Sequence, residues 1–278
     1  MSVNSHNTIL CRPFLKWAGN KFRIMDKIHN MLPPNGERLI EPFAGSAAVF
    51  LNTHYDNYLI SDSNPDLINL YNLLKKESDD FIAYCKKYFT EKNNTPEKYY
   101  HYREQFNKTT DIKKRSALFL YLNRHGYNGL CRYNASGLYN VPFGRYIKPY
   151  FPQKEMEFFS KKAKRAIFKV SSFEHVIKKA KQGDIIYCDP PYVPLSPSAS
   201  FTNYSAGGFS MENQKELAEL AQKTSQRGIP VLISNHKTKD TDHFYQDAER
   251  QYFKVRRYIS CNGKKRQHAG EVLALFQK

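Results

Sequence analysis

An apolar run over Asp184–Cys188 leads directly into Asp189-Pro190-Pro191-Tyr192. Two consecutive prolines fix φ and remove two backbone donors, so the tetrapeptide is stiff and presents carbonyl oxygens. A carboxylate, a proline carbonyl and an aromatic face then sit together, a set that suits an exocyclic amine on a planar base. Asp189 and the Pro190 carbonyl accept hydrogen bonds from the NH2, and Tyr192 stacks on the ring. The lone pair of such an amine is delocalised into the ring. Two acceptors aimed at its hydrogens favour the pyramidal geometry needed to attack an electrophile, and positioning supplies most of the rest. Asp-Pro and Pro-Pro are also ordinary turn signals. What separates this set from a plain turn is its place behind a buried strand, where open α/β sheets bind ligands.

A second constellation, Glu41-Pro42-Phe43-Ala44-Gly45-Ser46-Ala47, again runs from strand through glycine to helix. It is not a G-x-G-x-x-G fingerprint, and no G-x-x-x-x-G-K-[ST] occurs, so NAD and ATP are poorly supported. Asp62 stands 17 positions after Gly45, close to where a ribose diol is held in folds of this kind. A third, Phe14-Leu15-Lys16-Trp17-Ala18-Gly19-Asn20-Lys21, holds the only tryptophan just ahead of a helical pattern. Taken alone it is a capping loop with one packed aromatic.

These loops need a scaffold. Strands are expected over 38–41, 58–61, 166–170, 184–188 and 230–234, with closing strands over 252–260 and 272–276. Helices are expected over 21–31, 45–51, 64–76, 154–164 and 213–226. Strands alternating with helices at both ends of the chain predict an α/β fold with a doubly wound, mostly parallel sheet. Residues 79–123 read as helical, and 124–150 as a hairpin with long turns, punctuated by Gly126, Gly129, Gly137 and Gly144. The expected division is a catalytic domain from 1–76 and 166–278, with an inserted, mainly helical domain over 77–165 whose hairpin spans about 124–146. Residues 193–210, rich in Pro, Gly-Gly and Ser, read either as a loop that closes on the pocket or as a plain connection.

Charge points to a polyanion. The 278 residues carry 43 Lys+Arg against 26 Asp+Glu, a net of +17. Residues 75–181 hold 24 basic and ten acidic side chains, net +14, and 11 of the 20 Tyr. Basic groups grip phosphates while aromatic rings stack on or wedge between bases. No apolar run is long enough for a membrane span, and no signal peptide is evident, so the expected location is the cytoplasm, associated with the nucleoid. Five scattered cysteines without a C-x-x-C argue against a metal site and for reduced, buried thiols.

Taken together, the order W-A-G-x-K, E-P-F-x-G, a basic insertion and D-P-P-Y resembles the Dam-type DNA N6-adenine methyltransferases of the D12 class. The resemblance runs from about Phe14 to Phe276. It includes Tyr121-Leu122-Asn123-Arg124 through Tyr133-Asn134, Asn140-Val141-Pro142-Phe143-Gly144-Arg145-Tyr146, and Val231-Leu232-Ile233-Ser234-Asn235-His236. It implies a Rossmann-like methyltransferase sheet with a DNA-recognition insertion. It further implies transfer of a methyl group from S-adenosylmethionine to N6 of adenine in duplex 5'-GATC-3', after the base is flipped out of the stack. Trp17, Ala18, Gly19 and Lys21 would hold the cofactor's methionine end, and Glu41, Phe43 and Gly45 the loop beneath it. Asp62 would hold its ribose, Phe173 would pack near its adenine, and Asp189 would face both cofactor and target amine. The catalytic set would be Asp189, Pro190, Pro191 and Tyr192. Recognition would fall to Arg132 and Lys16 as guanine readers, Tyr127 as a wedge, and Leu130 and Pro142 as base-edge contacts. Arg103, Asn128, Asn134 and Arg145 would contact the backbone. A monomer acting without metal is expected.

The chain departs from the family pattern at Asn20 and Ala47, where glycine or serine is usual, and at His125, where tyrosine is common. Asn tolerates left-handed backbone and Ala is small, so cofactor affinity is expected to be tuned rather than lost. Other chemistries fit less well. An RNA adenine methyltransferase is the main alternative, opposed by the insertion's resemblance to a GATC reader. N4-cytosine enzymes more often carry Ser at position 189, and no Pro-Cys dipeptide is present for C5 attack. A nuclease motif can be forced only from Pro65-Asp66 and Asp111-Ile112-Lys113, off the strands. A binding module that had lost its chemistry would not explain Asp189, Tyr192, Asp62 and Trp17 together.

Overall fold

A computed structural model of the chain describes residues 10–193, 209–256 and 268–278. Seven strands form one sheet: β1 (Arg38–Glu41), β2 (Asn57–Asp62), β3 (Ala166–Val170), β4 (Asp184–Cys188), β5 (Val231–His236), β6 (Glu249–Arg256) and β7 (His268–Phe276), in the order β3-β2-β1-β4-β5-β7-β6. The first five strands run parallel; β7 pairs antiparallel with both β5 and β6. The chain order reverses between β1 and β4. That reversal opens a crevice at the carboxyl ends of those two strands.

Alternation decides which side chains face which layer. Leu39, Ile185, Tyr187 and Leu232 join one apolar cluster, whereas Ile40, Ile186, Cys188, Val231 and Ile233 join the other. Both faces are covered, so the central strands read as unbroken apolar runs. Helices α7 (Phe173–Lys178) and α8 (Met211–Gln226) cover the second face. The first face is covered by α1 (Met25–Met31), α2 (Ala48–Asn52), α3 (Pro65–Lys86) and α6 (Gln153–Ala163). Helices α4 (Pro96–Lys108) and α5 (Ile112–His125) extend that same cluster through Tyr99, Phe106, Leu118 and Leu122, so the insertion and the sheet share a continuous core.

Several boundaries differ from expectation for local reasons. The helix expected over 64–76 breaks at a non-helical Ser78 (φ 13°, ψ −95°), and a second helical stretch runs on to Lys86 within α3. The stretch 79–123 is divided by two caps: Thr95 ahead of Pro96 opens α4, and the Asp111 side chain accepts from Lys114 N to open α5. The six-residue helices α7 and α9 (Lys239–Phe244) are too short to show periodicity and rest on Ser172 and Thr238 caps. Between 124 and 146, antiparallel pairing is limited to single bridges joining Gly126 to Phe143 and Tyr133 to Tyr139. The backbone there bonds side chains instead of a ladder: Tyr99 Oη and Arg103 Nη1 donate to Val141 O, and Asn107 brackets Tyr139.

Candidate active site

Three acidic side chains stand at the carboxyl edge of the sheet, at the ends of β1, β2 and β4: Glu41, Asp62 and Asp189. The loops that follow hold them. Gly45 (φ 45°) turns sharply enough for its N–H to reach Asp62 Oδ2 at 3.1 Å, while Asn64 N donates to Asp62 Oδ1 at 2.9 Å. A Cβ at Gly45 would meet the Trp17 indole nitrogen at 3.0 Å, so glycine is what lets Trp17 lie against this loop. The Gly45 carbonyl accepts from Tyr71 Oη on α3. Ala47 takes left-handed backbone (φ 57°), a strained conformation for a residue with a Cβ. Asn20 does not: it keeps a negative φ and caps the short 3-10 turn Lys21–Ile24 by accepting from Phe22 N at 2.7 Å.

Asp189 has a fixed partner set. Lys21 Nζ sits 2.6 Å from Asp189 Oδ1 and also donates to Gly19 O. Ser234 Oγ donates to the same carboxylate oxygen at 3.0 Å and lies 3.1 Å from Tyr187 Oη. Burial pushes the Asp189 pKa up; Lys21 and Ser234 pull it back towards the ionised form. Gln214 Nε2 donates to Pro191 O at 2.7 Å, and Asn235 Nδ2 donates to Gln214 Oε1 at 2.9 Å. Asn235 Oδ1 also accepts from Val193 N, and the D-P-P-Y turn is thereby tied to β5 and α8. Tyr192 packs edge-on against His236, with the Lys21 ammonium 4.6 Å from its ring centre.

Glu41 is fully buried, its Oε1 has no hydrogen-bond partner, and burial, followed by the charge of Asp189, raises its pKa to about 8. Asp62 is likewise raised by burial and lowered by the N–H groups it accepts. Nearby, Phe43 and Phe173 stack with ring centres 5.4 Å apart, and Phe209 meets Phe43 edge-on. A cationic ligand bearing hydroxyls and a flat ring fits these acceptors and surfaces: an orphaned buried carboxyl oxygen, two further carboxylates and an aromatic wall. Ala18 stands in the Trp17–Gly19 turn and Pro190 leads into the bonded Pro191.

The recognition candidates cluster in one loop system beyond α5. Tyr127, Asn128, Arg132, Pro142 and Arg145 are exposed, whereas Leu130 and Asn134 are half-buried. Arg132 is held by Asn140, donating from Nε to Oδ1 at 2.7 Å and from Nη2 to the carbonyl at 3.3 Å. Asn134 Oδ1 is committed to the turn N–H groups of Ser136 and Leu138, which leaves its amide N–H for a ligand. Arg103 props Val141 from beneath. Lys16 donates to Arg124 O and lies 3.6 Å from the Tyr146 ring centre; burial, then Arg124, lowers its pKa to about 8. His125 is buried against Tyr121, with ring centres 3.9 Å apart, and burial holds it neutral with a pKa of about 4. Residues 194–208, most of the expected closing loop, lie outside the described residues, as does Cys261. Cys85, Cys131 and Cys188 are buried free thiols.

Sequence reasoning did not single out the residues that brace these groups. Asn123, fully buried, accepts from Lys16 N at 2.9 Å and donates to Lys16 O at 2.7 Å and Gly129 O at 3.3 Å. Asp66 accepts from Arg115 Nε and Nη2 and from Tyr133 Oη, at 2.7 Å for the phenol. Ser234 and Gln214 were legible only as polar residues in apolar surroundings.

Comparison with known proteins agrees with this geometry. The family model for D12 class N6 adenine-specific DNA methyltransferases matches residues 17–259. The DNA adenine methylase of Escherichia coli K12 is 49% identical over 266 residues, covering 96% of this chain and 95% of that protein. The DNA adenine methylase of Vibrio cholerae serotype O1 is 50% identical over 266 residues, covering 95% and 96%. With these matches spanning both the acidic crevice and the recognition loops, the chain belongs to the D12 class of N6 adenine-specific DNA methyltransferases.

Proposed function

We propose that the enzyme methylates N6 of adenine within duplex 5'-GATC-3', on a base flipped into the crevice between β1 and β4. The observation that carries this reading is Asp189, braced by Lys21 and Ser234 at the end of β4 beside Tyr192. S-adenosylmethionine supplies an electrophilic methyl group on a sulfonium. Trp17, Ala18, Gly19 and Lys21 hold its methionine end, Glu41, Phe43 and Gly45 line the loop under it, Asp62 binds the ribose hydroxyls, and Phe173 walls the adenine. Asp189 and the Pro190 carbonyl accept from the target NH2, and Tyr192 stacks on the flipped ring. Lys21 and Ser234 oppose the effect of burial on Asp189 and favour its accepting, ionised form, which would hold the amine as its nitrogen takes the methyl group and the sulfonium leaves as a neutral thioether. The proton then leaves from that nitrogen towards Asp189 or solvent.

Residues 77–165 serve as the target-recognition domain, on the sheet domain formed by 1–76 and 166–278. Arg132 and Lys16 read guanines, Tyr127 enters the gap left by the flipped base, Leu130 and Pro142 touch base edges, and Arg103, Asn128, Asn134 and Arg145 fix the backbone. The enzyme acts as a monomer in the cytoplasm, on the nucleoid. Among the described residues, no helix is long and apolar enough to cross a membrane. The test is transfer of labelled methyl to a GATC duplex, the same duplex with one base changed, and an RNA hairpin. Label only on the GATC duplex, recovered as N6-methyladenine, is expected. Label on the altered duplex or on RNA overturns the specificity, and substantial turnover by Asp189→Ala overturns the role of Asp189.

A further inference from the structure

At the opposite end of the sheet from Asp189, a cavity of about 330 Å³ opens beside the starts of β2 and β3. Its basic lining comes from two places. His54 lies in the turn between α2 and β2. Lys161, Lys162 and Arg165 share one face of α6 and its C-terminal extension with Phe158, at the i, i+3, i+4, i+7 spacing that places side chains side by side. The other face of α6 carries Met156, Phe159 and Ala163 into the core, so this helix has two separate contact faces. Basic residues in a last helical turn complement the helix dipole. That accounts for Lys161 and Lys162, but not for the convergence of His54 and a 43% exposed Phe158 on the same space.

No carboxylate lines the cavity. Some cations elsewhere are paired: Arg38 with Asp184, Lys113 with Glu77, Arg115 with Asp66. Among the described residues, the side chains of His54, Lys161 and Arg165 form no ion pair. Lys162 is held rigidly, donating to Leu51 O and Thr53 O, with its ammonium 5.3 Å from the Tyr58 ring centre. Two of its three N–H groups are thereby used and one remains. Burial, then Arg165, lowers the Lys162 pKa to about 8 against the raising effect of Glu41, and burial, then Lys162, lowers His54. Unrelieved positive potential in a concave, aromatic-edged site is the setting in which phosphate oxygens bind, and the volume falls in the range of small-molecule pockets.

We infer that this cavity is a second ligand site, separate from the crevice, that takes a phosphate ester of nucleotide size through Lys161, Lys162, Arg165 and His54, with Phe158 stacking on its base. The phosphate comes either from a free nucleotide or from a second segment of nucleic-acid backbone. Calorimetry at low ionic strength on enzyme saturated with S-adenosylmethionine, which occupies the adenosine pocket, reads AMP and pyrophosphate binding. Saturable binding of both is expected. The Lys161→Gln/Arg165→Gln variant should weaken both about tenfold or more, the loss of charge-assisted hydrogen bonds, while cofactor affinity stays unchanged. Phe158→Ala should weaken AMP and spare pyrophosphate. Displacement of AMP by a short duplex lacking the target assigns the phosphate to nucleic acid; failure to displace it assigns the site to free nucleotides. Absence of saturable binding, or binding indifferent to the double variant, refutes the site.

Discussion

Asn123 is the sharpest test of how the cofactor loop is held. Its amide closes a two-way clasp on the peptide of Lys16, accepting at 2.9 Å and donating at 2.7 Å, and adds a longer bond of 3.3 Å to Gly129 O. Gly129 (φ 64°) has no room for a side chain: a Cβ would fall 2.2 Å from that of Lys16. Asn123→Ala strips three partners at once. Each unsatisfied buried backbone group costs about 1–3 kcal/mol. Lys16 is only half-buried, so water recovers part of that, and the lower end of the range applies to each group. The expected loss is therefore about 2–4 kcal/mol, read by urea unfolding at constant m. Asn123→Asp keeps the acceptor for Lys16 N but loses both donors and buries a charge, so it should be no milder. The same change should raise KM for the cofactor and for DNA together, because Trp17 follows Lys16 directly and Gly129 lies inside the recognition loop. A stability loss below about 0.5 kcal/mol, the noise level of surface substitutions, would refute the clasp.

Lys21→Gln removes the charge that opposes burial at Asp189; the carboxyl pKa climbs, and the acid limb of the kcat profile should move to higher pH. An unmoved limb would remove Lys21 from the positioning of Asp189. Glu41 has a folded pKa of about 8 against an ordinary 4.5, so the native state keeps a proton the unfolded chain has lost. Its stabilising contribution is complete below about pH 4.5 and declines as pH rises towards 8, at a slope of up to about 1.4 kcal/mol per pH unit. Glu41→Gln should flatten that decline between pH 5 and 8 in urea titrations, and parallel curves for the two proteins would contradict it. Arg132→Ala should relax discrimination at one base pair by about 1–3 kcal/mol in kcat/KM across single-base variants, with non-specific binding retained; an unchanged preference would place base reading elsewhere.

The central parallel strands were legible because a strand buried on both faces has no polar side to confuse the pattern: 184–188 agrees with β4 to the residue. The edge strand β3 also matches 166–170, but there Ala166 and Phe168 are buried while Ile167, Lys169 and Val170 are exposed. The acidic ends of β1, β2 and β4 followed, since strand ends in such sheets are where ligands gather. The recognition loop was legible as glycine-rich and aromatic but not as a shape. Its backbone is shaped by side chains from remote helices, Tyr99 and Asn107 on α4 and Asn123 on α5, and no local periodicity encodes a partner 42 residues away, as between Tyr99 and Val141. The bracing residues were hidden for the same reason. A buried Asn or Asp in a helix is only a polar letter until the fold brings the peptide it satisfies alongside.

Those braces make the crevice and the recognition loop one mechanical unit. Asp62 closes the Gly45 turn, and two residues later Asn64 caps α3 while its amide reaches Cys131 in the loop. Asp66, in the next turn, takes Arg115 from α5 and Tyr133 from the loop. From the other side, Asn123 joins Gly129 to Lys16, one residue from Trp17 and five from Lys21, the partner of Asp189. Displacement of residues 126–146 therefore pulls on the peptides that carry Trp17 and Lys21, and through them on Asp189. The acidic crevice and the loop beyond α5 lie in separate parts of the chain, but buried amide and carboxylate groups, stiff because each has its partners, span the distance between them.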